Sequence, residues 1–302
     1  MDGRSEDARG PAPGAAPAAL DADLDELLRF AIEAARAAGR LQLDALDRRP
    51  AVSLKSAREL VTEVDLACEA LIAERIAATY PAHALLAEEG HDLGGRGAGG
   101  APPWRWIVDP VDGTTNYSRR LPTFAVSIGL EAPGAGPTLG VVYAPYLDEL
   151  FYAARGRGAW LVRGESPPRP LRVSATAALD EAVVTTGFAY VQNETPNDNF
   201  ANWERVSRRT RAVRRGGSAA LDLAYVADGR FDAFWEMHLK PYDVAAGAVL
   251  VREAGGRMSD LFRGEDWLHG QTMLASNGAL HEALLAELAP VRPDGHVRLP
   301  DA

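Results

Sequence analysis

One cysteine stands in the whole chain, Cys68. An intramolecular disulfide is therefore excluded, and so is a zinc site built on cysteine pairs. Cys68 shares a helical face with Ile72 and Ile76, which predicts a buried core thiol rather than a reactive one, and a reducing, cytoplasmic setting fits. No run of about 18 apolar residues occurs, so no membrane-spanning helix is expected. The first residues lack a basic segment followed by an apolar one; Asp2, Glu6 and Asp7 are followed by Pro, Gly and Ala. A secretory signal is not expected there, and residues 1–20 read as a disordered tail. Positive charge is also scarce: a formal net charge of −10 excludes nucleic-acid binding driven by overall charge. No internal repeat is visible. The glycine-rich stretch from Gly90 to Pro103 lacks the Gly-Lys-Ser/Thr of a phosphate-binding loop and reads as a surface loop.

What is present suffices for one large two-part domain or two smaller ones, since 302 residues can bury sizeable cores. Leu24, Leu27, Leu28, Ala31, Ala35 and Ala38 recur at helical spacing, with Asp21 or Asp23 as cap and Pro50 beyond the end. Residues 51–62 form a loop or hairpin carrying Lys55, and a second helix begins near Asp65. Strand signals stand at 84–87 and 104–108, and those at 124–130, 138–143, 149–154 and 159–162 read as an antiparallel meander, so the N-terminal sheet is expected to be antiparallel. From residue 182 strands and helices alternate, which predicts a mixed sheet covered by helices. The expected division is an N-terminal half over 21–175, a C-terminal half over 176–290 and a tail over 291–302.

The chemistry is concentrated in Asp109-Pro110-Val111-Asp112-Gly113-Thr114-Thr115-Asn116, read as a turn after the strand that ends at Val108. Two carboxylates three positions apart offer hard oxygen ligands of the kind that divalent cations take. Gly113, Thr114 and Thr115 add a permissive backbone, N–H groups and hydroxyls for a phosphate beside a metal. Asp65, Glu88 and Asp243 are read at element ends too; singly, each is as well explained by helix capping or a solvated loop charge.

Read together, these segments resemble the inositol monophosphatase family. The stretch from Trp106 to Asn116 is similar to its first signature, and Tyr242-Asp243-Val244-Ala245-Ala246-Gly247, running on to Gly256, to its second. Ala87-Glu88-Glu89-Gly90, Thr62-Glu63-Val64-Asp65, the run from Gly216 to Ala224 and Asp232-Ala233-Phe234-Trp235-Glu236 complete the set in order, over about residues 22–290. Ala87 replaces the usual glycine and Tyr242 the usual tryptophan, both without loss of an acidic ligand.

The resemblance implies a layered α/β fold, an αβαβα sandwich of the inositol monophosphatase/fructose-1,6-bisphosphatase type. It implies two or three Mg²⁺: Glu88, Asp109 and the carbonyl of Val111 for the first, Asp109, Asp112 and Asp243 for the second, Glu88 for a weaker third. Asp65 and Thr114 would orient and deprotonate the attacking metal-activated water. The substrate would meet Glu88, Val111, Asp112, Gly113, Thr114, Gly217, Ser218, Ala219, Glu236 and Asp243, with Glu236 on the polyol hydroxyls. The implied reaction is hydrolysis of myo-inositol 1-phosphate; fructose 1,6-bisphosphate, a nucleotide bisphosphate and histidinol phosphate stay open as substrates. Lithium sensitivity and a homodimer follow as family expectations. Arg205, Arg208, Arg209, Arg211, Arg214 and Arg215 form a basic run that suits an RNA or an acidic protein partner, or a solvated, salt-bridged helix face.

Overall fold

A computed structural model describes residues 19–46, 48, 52–55, 60–95, 103–190 and 198–288. The tails expected at 1–20 and 291–302 lie outside these residues, except that Ala19 and Leu20 are already helical. Helix α1 (Ala19–Leu46) starts ahead of Asp21 and Asp23, so neither is its cap. Its Leu27, Ala31, Ala34, Ala35 and Ala38 are buried, a stripe of small residues that lets it lie close to its neighbours. Strands β1 (Val52–Leu54) and β2 (Leu60–Thr62) pair antiparallel, and Lys55 follows the first of them. Helix α2 (Glu63–Thr79) begins before Asp65, because Thr62 is its cap and Asp65 returns its carboxylate to the Thr62 N–H in a capping box.

The first sheet holds β3 (Ala84–Ala87) and β4 (Arg105–Asp112), then, after the short helix α3 (Thr114–Ser118), β5 (Ala125–Ala132), β6 (Gly136–Ala144), β7 (Glu149–Ala154), β8 (Ala159–Arg163) and β9 (Arg169–Pro170), side by side in chain order. It is antiparallel from β4 onward, with β5–β8 forming the expected meander, but β3 runs parallel to β4, which corrects the expectation of an antiparallel N-terminal sheet. The second half comprises β10 (Val183–Thr186), α4 (Phe200–Arg209), β11 (Ala212–Arg214), α5 (Ala219–Ala227), β12 (Ala233–Met237), α6 (Pro241–Glu253), β13 (Arg257–Ser259), β14 (Thr272–Ser276) and α7 (His281–Glu287). Its sheet runs β11-β10-β12-β14-β13 and is mixed: β10 is parallel to both neighbours, β14 antiparallel to both of its own.

Three apolar clusters stack these elements as αβαβα. Leu27 of α1 and Ile72 of α2 pack with Trp106, Ile128 and Leu139 on one face of the first sheet. Leu223 of α5 and Val249 of α6 join Ile107, Val142 and Phe151 on its other face to Phe234 and Met273 of the second sheet. Val206 of α4 and Leu284 of α7 cover the outer face of the second sheet at Val184, Trp235 and Leu274. Each fully buried Ile or Leu contributes about 1.5–3 kcal/mol, against about 0–1 kcal/mol for an exposed ion pair, so the layers are held by apolar burial. The central layer is thin: a Cβ on Gly140 of β6 would stand 2.2 Å from the Ala246 carbonyl oxygen of α6. No helix among the described residues is long and apolar enough to cross a membrane.

Candidate active site

Strand β4 does not stop at Val108, as the proline suggested, but runs through Asp112. In a regular strand, residues three apart point to opposite faces. Here Asp109 stands opposite Ser127 and Asp112 opposite Ala125, so three steps on β4 match two on β5. That extra residue is a bulge, and it re-aims the side chains beside the functional segment. Asp109 Oδ1 accepts the Val111 N–H at 3.0 Å. Gly113 then turns with φ +94°, a backbone region that favours glycine, and α3 begins.

Behind this bulge, Thr114 Oγ1 donates to Asp65 Oδ1 at 2.9 Å and also lies 3.1 Å from the Val111 carbonyl oxygen. Asp65 Oδ2 accepts from the Thr62 N–H at 3.0 Å and from the Thr62 hydroxyl. Burial raises the Asp65 carboxyl, and these donors restrain the rise. Glu88 follows β3, its N–H donating to the Val108 carbonyl at 3.2 Å. Lys55 Nζ sits 3.1 Å from Glu88 Oε1 and 2.5 Å from Glu89 Oε1. Burial would lower the Lys55 ammonium, but the two carboxylates outweigh it and hold it above its ordinary value. Burial likewise pushes Glu89 up to about 7.

The C-terminal half supplies the other wall. Ser218 caps α5 and donates to Asp112 Oδ2 at 2.6 Å, while the N–H groups of Ala219 and Ala220 reach the Asp112 oxygens at 3.2 and 2.7 Å. Ser218 and Ala219 thus serve Asp112 as well as facing the cavity. Asp243 is the third residue of α6, not its opening one, and accepts the Lys240 N–H at 2.6 Å. A cavity of about 280 Å³ is lined by Glu88, Asp112, Gly113, Gly217, Ser218, Ala219, Glu236 and Asp243. Asp65, Asp109, Val111 and Thr114 are buried, so the structure gathers the sequence-predicted residues into one region in two depths.

The electrostatics of the cavity are strained in one direction. Burial, then the charges of Glu88, Asp112 and Asp243, hold Asp109 well above the usual carboxylate range. Burial brings Asp112 to about 6 despite its three donors. Burial raises Asp243 as well, and brings Glu236 to about 8 with Asp222 adding to the rise and Arg215 opposing it. All-oxygen donors that crowd one another in this way suit a hard divalent cation, whose charge relieves the repulsion. As the side chains stand, no group of three or more His, Cys, Asp or Glu among the described residues is arranged to hold a metal ion. Asp112 is turned to α5 and Glu88 to Lys55.

The sequence reading assigned no role to Glu69, Asn116 or Asn199. Glu69 is buried and accepts the N–H groups of Glu89 at 2.6 Å and His91 at 2.9 Å, shaping the turn after Glu88. Its place in the buried stripe 65, 68, 69, 72, 76 was a signal that could have found it. Asn116 Nδ2 donates to the Gly216 carbonyl at 2.9 Å and steadies the loop before Ser218. Asn199 accepts from Trp235 Nε1 and donates to the Gly187 carbonyl, both at 2.8 Å, beside Glu236. Of the basic run, Arg205 donates to the Glu287 carbonyl and Arg209 pairs with the Glu287 carboxylate of α7, Arg208 pairs with Glu204 within α4, and Arg215 lines the cavity.

A family model described as the inositol monophosphatase family matches residues 23–292. The chain is 42% identical over 274 residues to the Nus factor SuhB of Pseudomonas aeruginosa, covering 89% of this chain and 98% of that one. It is equally 42% identical over 274 residues to an inositol-1-monophosphatase of Synechocystis sp., covering 90% and 92%. Among solved structures, inositol monophosphatase from Anabaena (Nostoc) sp. PCC 7120 superposes with a TM-score of 0.77 at 40% identity over 88% of this chain and 96% of that one. The extragenic suppressor protein suhB from Bartonella henselae gives a TM-score of 0.79 at 35% identity over 87% and 98%.

Proposed function

The chain belongs to the inositol monophosphatase family and is a phosphoric monoester hydrolase, and on that premise we propose that it hydrolyses myo-inositol 1-phosphate to inositol and phosphate with two or three Mg²⁺ at the acidic cavity. Glu88, Asp109, the Val111 carbonyl, Asp112 and Asp243 would hold the ions, Glu88 by leaving Lys55. Bound there, Mg²⁺ supplies charge to the phosphoryl oxygens and lowers the pKa of water.

The observation that best supports this reading is the Thr114–Asp65 hydrogen bond beside the bulge. Because Asp65 accepts the hydroxyl proton, a lone pair of Thr114 stays available to accept from the attacking water. Asp65, raised by burial, is fitted to take up the proton. Attack is in line on phosphorus, the bond from phosphorus to the alcohol oxygen breaks, and water returns a proton to the alkoxide. The Gly113 and Thr114 N–H groups face the phosphoryl oxygens. Glu236, raised by burial and by the charge of Asp222, pairs with a ring hydroxyl along the wall made by Gly217, Ser218 and Ala219. A homodimer and inhibition by lithium belong to the same proposal.

Phosphate release should be Mg²⁺-dependent, lithium-sensitive and fastest with inositol 1-phosphate in a panel with fructose 1,6-bisphosphate, adenosine 3′,5′-bisphosphate and histidinol phosphate. Preference for another ester would remove the role given to Glu236 and keep the metal chemistry. Relatives named Nus factor favour a second reading, a dual role with an RNA or protein partner through Arg205–Arg215. Folded protein that hydrolyses none of the four esters would shift the weight to it.

A further inference from the structure

Gln42 is a polar residue on the buried side of α1, and it is fully buried. Its Nε2 donates to the carbonyl oxygen of Pro110 at 2.7 Å, across 68 positions of sequence. Its own backbone carbonyl accepts from the Tyr117 hydroxyl at 2.8 Å. One residue of α1 therefore grips β4 inside the bulge and α3 just beyond it.

The bulge explains why a grip is needed there. An extra residue leaves backbone groups that the ladder cannot pair. Pro110 has no N–H to satisfy. The Val111 N–H is taken by Asp109 Oδ1, and the Val111 carbonyl, 3.1 Å from Thr114 Oγ1, is the oxygen proposed for the cation. The Pro110 carbonyl remains, and Gln42 takes it. The amide orientation follows from chemistry, because a flipped amide would set its oxygen against a carbonyl oxygen. That orientation leaves Gln42 Oε1 buried with no hydrogen-bond partner. An apolar side chain would fill the stripe without an unsatisfied acceptor. What the glutamine adds is the hold on Pro110.

We infer that Gln42 is a positioning residue for a divalent-cation site: by fixing the Pro110 carbonyl it sets the spacing of the Asp109 and Asp112 carboxylates, and so the affinity for the cation. It acts through the backbone and touches neither substrate nor metal. The inference rests on the metal-dependent reading proposed above.

The test is a Mn²⁺ titration of the whole protein without substrate, followed by the electron paramagnetic resonance signal of free Mn²⁺. Gln42→Met keeps length and apolar fit, deletes the donor and removes the orphaned acceptor. Its Mn²⁺ affinity should fall about tenfold, and the Mg²⁺ concentration for half-maximal phosphate release should rise by the same factor, as for lost support behind a metal ligand. The substrate KM at saturating Mg²⁺ should hold. Tyr117→Phe cuts the second grip at nearly constant volume and should weaken Mn²⁺ in the same direction; it decides the matter if Gln42→Met does not fold. Unchanged Mn²⁺ affinity in a folded variant would overturn the inference and leave the phosphatase reading in place. No Mn²⁺ binding by the unaltered protein would overturn both.

Discussion

At the scale of single residues, the site divides into groups that face the cavity and groups that hold them. Asp65 is of the second depth, buried and fixed by Thr62 and Thr114. Asp65→Asn keeps the shape and removes the base, so kcat should fall by about 10²–10⁴-fold, the usual worth of a positioned acid or base. Substrate affinity, measured by equilibrium binding, should change little; a variant with full turnover would remove Asp65 from the mechanism. The acidic residues proposed as ligands were legible in the sequence because Asp109, Asp112 and Asp243 sit in recognisable local contexts. Gln42, Glu69 and Asn116 were not, since each acts on a backbone group brought close only by folding, 68, 20 and 100 positions away.

At the scale of elements, α6 lies so close to β6 that Gly140 has no room for a methyl group. Gly140→Ala must push the helix backbone off the sheet, because the obstructing atoms belong to the Ala246 main chain and cannot rotate away. Urea unfolding should show a loss of about 1–3 kcal/mol, the usual range for overpacking. Activity should fall with it, since α6 carries Asp243. Gly94→Ala, where the added atom meets nothing within 4 Å, is the control and should leave both unchanged. Element boundaries were less legible than element types. Pro110 reads as the end of a strand, yet Gln42 takes the carbonyl that the bulge strands, and β4 continues. A capping box at Thr62, and the Asp243 carboxylate reaching back to the Lys240 N–H, placed Asp65 and Asp243 inside their helices rather than at the openings. The three-residue β13 carries too little pattern to be seen.

At the scale of the whole molecule, the layer order was legible through the resemblance, whereas the parallel pairing of β3 with β4 was not, because pairing direction leaves no local mark. One buried histidine should set part of the acid limit of the fold. His281 Nε2 lies 2.9 Å from Ser259 Oγ and Nδ1 2.8 Å from Ser276 Oγ, joining β13, β14 and α7. Burial, aided by Arg257 and Arg263 and opposed by Glu282, pushes it down to about 4. The unfolded chain, with a histidine pKa of about 6.5, binds a proton that the folded chain refuses. Stability is therefore complete above about pH 6.5 and is lost as pH falls toward 4. Tm should drop more steeply between pH 7 and 5 in the unaltered protein than in His281→Asn; equal slopes would show that His281 does not contribute.

The hydrogen bond from Ser218 to Asp112 joins two residues 106 positions apart. A ribosome adds roughly 5–20 residues each second, so on the order of ten seconds separate the making of the one from the arrival of the other. Through that interval the bulged strand is without the helix that later receives its carboxylate. The nascent chain is without chemistry until then, and it acquires its reactive centre late, when α5 and α6 supply the second wall.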